Sequence, residues 1–355
     1  MKHRLYYKSL HLISSLLISS LLLTISCTKQ DKTGYSLSFD AKAVDASFVG
    51  KAGAGEGVIK TTDSNLSNHP FGVFGGYSDV AGDENFTNVF LSSAAQQVSW
   101  NTDTDPNKWT YDPLQYWKLN KFYRFRAYHP YSGSAFSINA MSDVDDIFIE
   151  YAINAGKEDL LVGFQTVEST ASNIKNKVKF AFKHALCALE FKIAFKNDPF
   201  IEDSYTDNLT SFHLSGLIPT GTLQYTHEDG NNLSEVIKWH ATYFDDGEYY
   251  EWTGSGSDSK EFPKYNGSNA TTVFDGNGLV FCIPQTCSPA DTKQTIVYFK
   301  TEKAGDAVHS APLPKMQWEP GKIYSYTLLI NKSDLEISVT IKDWDEIQAN
   351  EDLFL

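Results

Sequence analysis

Residues 178–195 read VKFAFKHALCALEFKIAF, and they decide the fold class. Val178, Phe180 and Phe182 alternate with Lys179, Ala181 and Lys183, the two-residue period of a strand with one apolar face. Leu189, Phe191, Ile193 and Phe195 then alternate in the opposite parity. The phase flips across HALCA. A one-residue slip would turn every later side chain to the wrong face, so the flip predicts a bulge or a crossing from one sheet to another. His184 sits at the switch. It reads as a histidine hydrogen-bonded at an irregular strand rather than a metal ligand, because no second histidine lies at ligand spacing.

Outward from this stretch the same period recurs in short pieces separated by Gly, Asn, Asp, Ser and Pro. YSLSFDA (35–41) places Tyr35, Leu37, Phe39 and Ala41 on one face. FGVFGGY, VFLSS, QVSW, FYRFRAY, DIFIEY and DLLVGF follow it. SFHLSGL, GTLQYT, GLVFCIP and TIVYF continue the series after residue 195, and IYSYTLLI with LEISVTI closes it, joined by a turn at NKSD. Aromatic residues make up 14% of the chain. That cadence predicts an all-β protein built as antiparallel sandwiches. With 355 residues, two domains are expected rather than one oversized core. The small, polar run TVESTASNIKNK marks the boundary, giving an N-terminal sandwich over 35–170 and a C-terminal one over 171–355.

The opening MKHRLYYKSLHLISSLLISSLLLTISC has a basic head, a short apolar stretch and small residues before Cys27. Residues 1–26 read as a secretory signal, since the apolar stretch falls short of the roughly 20 residues that a span requires. LTISC resembles a bacterial lipobox, which makes Cys27 the expected lipidation site and the outer-membrane lipid a partner. Residues 27–34 then serve as a polar tether.

Thirty basic residues against 44 acidic ones give a formal net charge of −14, and excluding Lys2, Arg4 and Lys8 of the leader makes it more negative. This repels phosphate backbones and excludes nucleic acid as a partner. GKAGAGEG (50–57) lacks the helix and the Lys-Ser/Thr of a phosphate loop, so it reads as a connector. No Gly-x-Ser-x-Gly or thiol–imidazole arrangement marks a nucleophile, and an enzyme is not expected. The acidic runs SDVDD and YFDDGEYYEW lack a calcium-loop pattern. Neither a metal nor a cofactor is expected.

Three features carry alternatives. Arg124 and Arg126 lie on the opposite side of FYRFRAY from Tyr123, Phe125 and Ala127, and read as a solvated strand face rather than an anion clasp, which would need converging donors. Trp100, Trp109 and Trp117, near Tyr111 and Tyr116, suit core packing better than a sugar platform. Cys282 and Cys287 could pair or remain thiols, and Cys187 has no evident partner.

YWKLNKFYRFRAYHPYS, VKFAFKHALCALEFKI, GLVFCIPQ, WEPGKIYSYTLLI and VTIKDW, in this order behind the lipobox, resemble the signature stretches of the fimbrillin-like family, lipoprotein subunits of type V pili. The resemblance implies two tandem transthyretin-like β-sandwich domains at the cell surface. It further implies other pilus subunits as partners, a surface protease that removes the first strand, and a ligand on a host or bacterial surface. Assembly would proceed by strand exchange. Arg124 and Arg126 would then lie on a solvated or interdomain face. No arginine lies between the leader and Arg124, so Lys42 or Lys51 would be the processing site. Leu335, Ile337, Val339 and Ile341 would form the donor strand. The alternatives are a non-polymerising anchor or tip protein, or a surface glycan-binding lipoprotein.

Overall fold

The computed structural model describes residues 34–43, 69–82, 88–89, 95–103, 108–140, 147–153, 158–226, 237–276, 278–331 and 335–343. Cys27, Lys51 and the glycine-rich 50–57 lie outside the described residues. The described chain is all-β. Its only helices are two single 3-10 turns, Asn173–Lys175 and Gly256–Asp258.

The largest sheet runs in the order Phe39–Ala43, Val178–His184, Leu161–Glu168, Phe122–His129, Phe71–Ser78, Gln96–Asn101, Lys108–Thr110, with Asn88–Val89 beside Phe71–Ser78. It curls around an aromatic core of Phe39, Phe71, Trp109, Trp117, Phe125 and Phe180, among others. A second sheet orders Thr271–Thr272, Cys187–Phe195, Lys322–Ile330 and Leu335–Asp343, with Leu279–Cys282 beside Cys187–Phe195. A third is built on Asp207–Leu217 and Ile296–Thr301. The second and third face each other as a sandwich, and the ring centroids of Phe191 and Phe212 are 5.1 Å apart between them.

The phase flip is a crossing between sheets. Val178–His184 ends in the first sheet and Cys187–Phe195 begins in the second, with Ala185 and Leu186 buried between them. His184 Nδ1 lies 2.7 Å from Asp159 Oδ2, both groups buried. This is the structural histidine that the irregular strand predicts.

Two sequence expectations need correction. Val178–His184, placed with the second half by the polar run before it, is hydrogen-bonded to Leu161–Glu168 and to Phe39–Ala43. Conversely, Phe136–Ala140 and Ile147–Ala152 join Thr220–Tyr225 and Ile237–Ala241 in a fourth sheet. Backbone pairing is a long-range choice, and a polar loop between two strands does not announce whether they stay in one sheet.

The second correction concerns the arginines. Tyr123, Phe125 and Ala127 point into the first core as expected, but Arg124 is 5% exposed and Arg126 0%. The solvated face does not exist. The Arg126 Nη2 donates to the Thr226 carbonyl at 3.1 Å, and its guanidinium carbon lies 5.8 Å from the centre of the Tyr225 ring. Tyr225 in turn donates its hydroxyl to the Ala127 carbonyl. The first sheet is therefore covered on its second face by a strand from the other half, and a guanidinium under that cover needs acceptors and an aromatic face.

Candidate assembly site

The opening segment has two backbone partners, one for the strand and one for the residues ahead of it. Phe39–Ala43 runs parallel to Val178–His184, with Phe39 opposite Val178, Ala41 opposite Phe180 and Lys42 opposite Ala181. Just before it, Ser36 bridges Tyr116 in antiparallel sense. The Leu37 amide donates to the Gln115 carbonyl at 2.8 Å and the Trp117 amide to the Tyr35 carbonyl at 3.2 Å. The segment is thus tied at its start to residues 115–117, while Phe39–Ala43 itself pairs only with Val178–His184 and stands last in the order of the first sheet.

Side chains follow the backbone. Leu37 and Phe39 are each 1% exposed, and Phe39 meets Tyr111, Phe180 and Phe125 at centroid distances of 5.3, 5.8 and 5.9 Å. Ala41 is half-buried and Tyr35 is exposed. The apolar row is real, but its weight rests on two residues rather than four. Tyr111 adds a polar clasp: its hydroxyl donates to the Leu37 carbonyl at 2.8 Å and accepts from the Gln115 amide at 3.2 Å. Burial pushes this phenol from its ordinary 10.0 up to about 12, so it remains a donor at neutral pH.

The closing strand, Leu335–Asp343, is an edge. It pairs along its whole length with Lys322–Ile330, from Ile330 opposite Leu335 to Lys322 opposite Asp343. It ends the order of its sheet among the described residues. Leu335, Ile337 and Val339 are only partly buried against the second core, and Ile341 is 54% exposed. The remaining ties are polar, an ion pair of Glu336 with Lys196 at 2.6 Å and one of Asp343 with Lys322.

Of the residues singled out from sequence, Lys42 lies in the opening strand and Leu335, Ile337, Val339 and Ile341 in the closing one, at opposite ends of the chain. Sequence reasoning missed the partners of the opening segment, Val178, Phe180 and Phe182 for the strand and residues 115–117 for the residues ahead of it. No short-range signal could have found them, since a parallel partner lies a long crossover away. The tryptophan cluster is core. Trp109 is 7% and Trp117 1% exposed, with Trp109 packed on Phe71 and Trp100 and Trp117 on Tyr123. Cys187, Cys282 and Cys287 are buried thiols.

A family model described as fimbrillin-like matches residues 60–344. No curated protein matches the chain. Among solved structures, a fimbrial protein from Bacteroides vulgatus ATCC 8482 is similar at a TM-score of 0.62 and 17% identity, over 87% of this chain and 99% of that one. A protein described as a candidate cell adhesion protein, from Parabacteroides distasonis ATCC 8503, has a TM-score of 0.50 and 8% identity, over 88% and 97% of the two chains. At these identities the likeness is one of fold. The family model, in contrast, spans most of the sequence, from a point after the opening strand to the end of the closing strand, and on that match the chain belongs to the fimbrillin-like family.

Proposed function

We propose that this protein is a structural subunit of a cell-surface pilus. In this reading it is exported as a lipoprotein anchored through Cys27 in the outer membrane, trimmed by a surface protease after Lys42 or Lys51, and polymerised with other subunits by strand exchange. Its cores are read as two transthyretin-like sandwiches in tandem.

The contrast between the two ends of the chain supports the reading. The opening segment has Leu37 and Phe39 sealed in the first core, so its removal would uncover their positions and the backbone groups that it meets on Val178–His184 and on residues 115–117. Refilling those two pockets is worth roughly 3–6 kcal/mol before ordering costs. The closing strand has the matching two-residue period and is held on one side only, with an apolar row that its own core buries by half. Strand addition at the vacated positions would satisfy both.

The Lys42–Ala43 bond lies within the paired ladder, so cutting there requires the strand to loosen first. The test is to replace Lys42→Gln and Lys51→Gln, singly and together, and to collect surface-sheared fibres. The double variant is expected to leave a folded surface monomer and no fibres. Fibres of the double variant with an unchanged N-terminus would overturn the processing step and favour an anchor role. Ile337→Asp with Val339→Asp is expected to block polymerisation from the donor side.

A further inference from the structure

The fold brings together two cysteines that are 95 positions apart in sequence. Cys187 begins the central strand of the second sheet, Cys282 ends its antiparallel neighbour, and the two stand directly opposite each other in register. Both are fully buried. Cys187 shares the inward face of Leu189 and Phe191, and Cys282 that of Val280, the residue opposite Leu189. The Cys187 Sγ reaches the Cys282 carbonyl at 3.2 Å, which places it over its partner's backbone. Directly opposed residues of an antiparallel pair have Cα atoms about 4.5–5.5 Å apart, within the roughly 4.4–6.8 Å that a disulfide spans.

We propose that Cys187 and Cys282 are the chain's disulfide-forming pair and that Cys287 stays a thiol. The alternative bond, Cys282 to Cys287, would join neighbours in sequence across Pro284. Cys287 instead belongs to a separate two-stranded ladder opposite Met316, where its sulfur lies beside the Ser288 hydroxyl at 3.9 Å. A link between the distant pair also closes a far longer loop of the unfolded chain and constrains it more. It would bolt the central strand of the second sheet to the strand beside it.

The step is an exchange. Each thiol gives up a proton and the pair gives up two electrons as the S–S bond forms, while the disulfide of an exchange partner takes both electrons and both protons to become two thiols. It has to precede closure of the core. In the folded protein, burial pushes the Cys187 thiol well above its ordinary value and the Cys287 thiol to about 11, so neither thiolate nor access remains.

The physiological oxidant rests on the exported reading given above, but the geometry does not, and the test works without export. The full chain carrying Cys27→Ser, with three cysteines left, is refolded from denaturant with oxidised and reduced glutathione. It is then denatured, alkylated without reductant and mapped by mass spectrometry. The expected result is one alkylated cysteine, Cys287, and a linked peptide pair containing Cys187 and Cys282, lighter than the two free peptides by two hydrogens. Cys287→Ser should keep the link and Cys282→Ser should lose it. Three alkylated cysteines after oxidative refolding, or a link between Cys282 and Cys287, would overturn the assignment whatever the protein does in a fibre.

Discussion

The opening and closing strands look alike as sequence, and the molecule treats them in opposite ways. SLSFDA and LEISVTI both alternate apolar and polar residues over a similar length. Leu37 and Phe39 of the first are sealed in an aromatic core. Leu335, Ile337 and Val339 of the second lie half-covered at a sheet edge. An alternating pattern states that a strand has an apolar face. It does not state how much of that face is covered, nor whether one edge or both are paired.

The largest expected effect that separates the two is in the core. Phe39→Ala should lower stability by about 3–5 kcal/mol in urea unfolding of the intact chain, the usual cost of emptying a packed aromatic site. Ile337→Ala should cost markedly less, since its site is already part-open. Equal losses at the two positions would erase the distinction between a sealed and a half-covered strand.

A middle-sized effect sharpens the role of the clasp. Tyr111→Phe removes a hydroxyl that ties the Leu37 carbonyl to the Gln115 amide, at about 0.5–1.5 kcal/mol. It should also change the alkaline limb. In the folded protein this phenol holds its proton to about pH 12, whereas unfolded it ionises near 10.0. Its contribution is therefore complete below pH 10, and falls as pH rises toward 12, because the folded state binds the proton more tightly. Tyr123 is pushed the same way by burial. Urea midpoints measured between pH 8 and 11 should decline less steeply at the upper end for Tyr111→Phe than for the parent.

The smallest effect is expected at the edge. Glu336→Gln removes a largely exposed ion pair with Lys196, and the stability change should fall within about 0–1 kcal/mol and fade with added salt. A larger loss that salt leaves unchanged would mean that the closing strand is fastened more firmly than its exposure shows.

By itself the sequence determined the all-β class, the inward rows Tyr123–Phe125–Ala127 and Phe180–Phe182, the closing hairpin of IYSYTLLI and LEISVTI, and the phase flip at HALCA, which the structure resolved as a crossing between sheets. All of these are written in the two-residue period, which is a local property set by the geometry of the extended backbone. The sequence also favoured core packing for Trp109 and Trp117, because no polar set accompanied them. Only the tertiary structure decided that Val178–His184 pairs with the first strand, that Arg126 lies beneath Tyr225 and Thr226 instead of in water, and that Cys187 faces Cys282. These depend on which distant segments share a ladder or cover a face. That choice is made by the joint burial of residues far apart in the chain, and it leaves no mark on the spacing of any one strand.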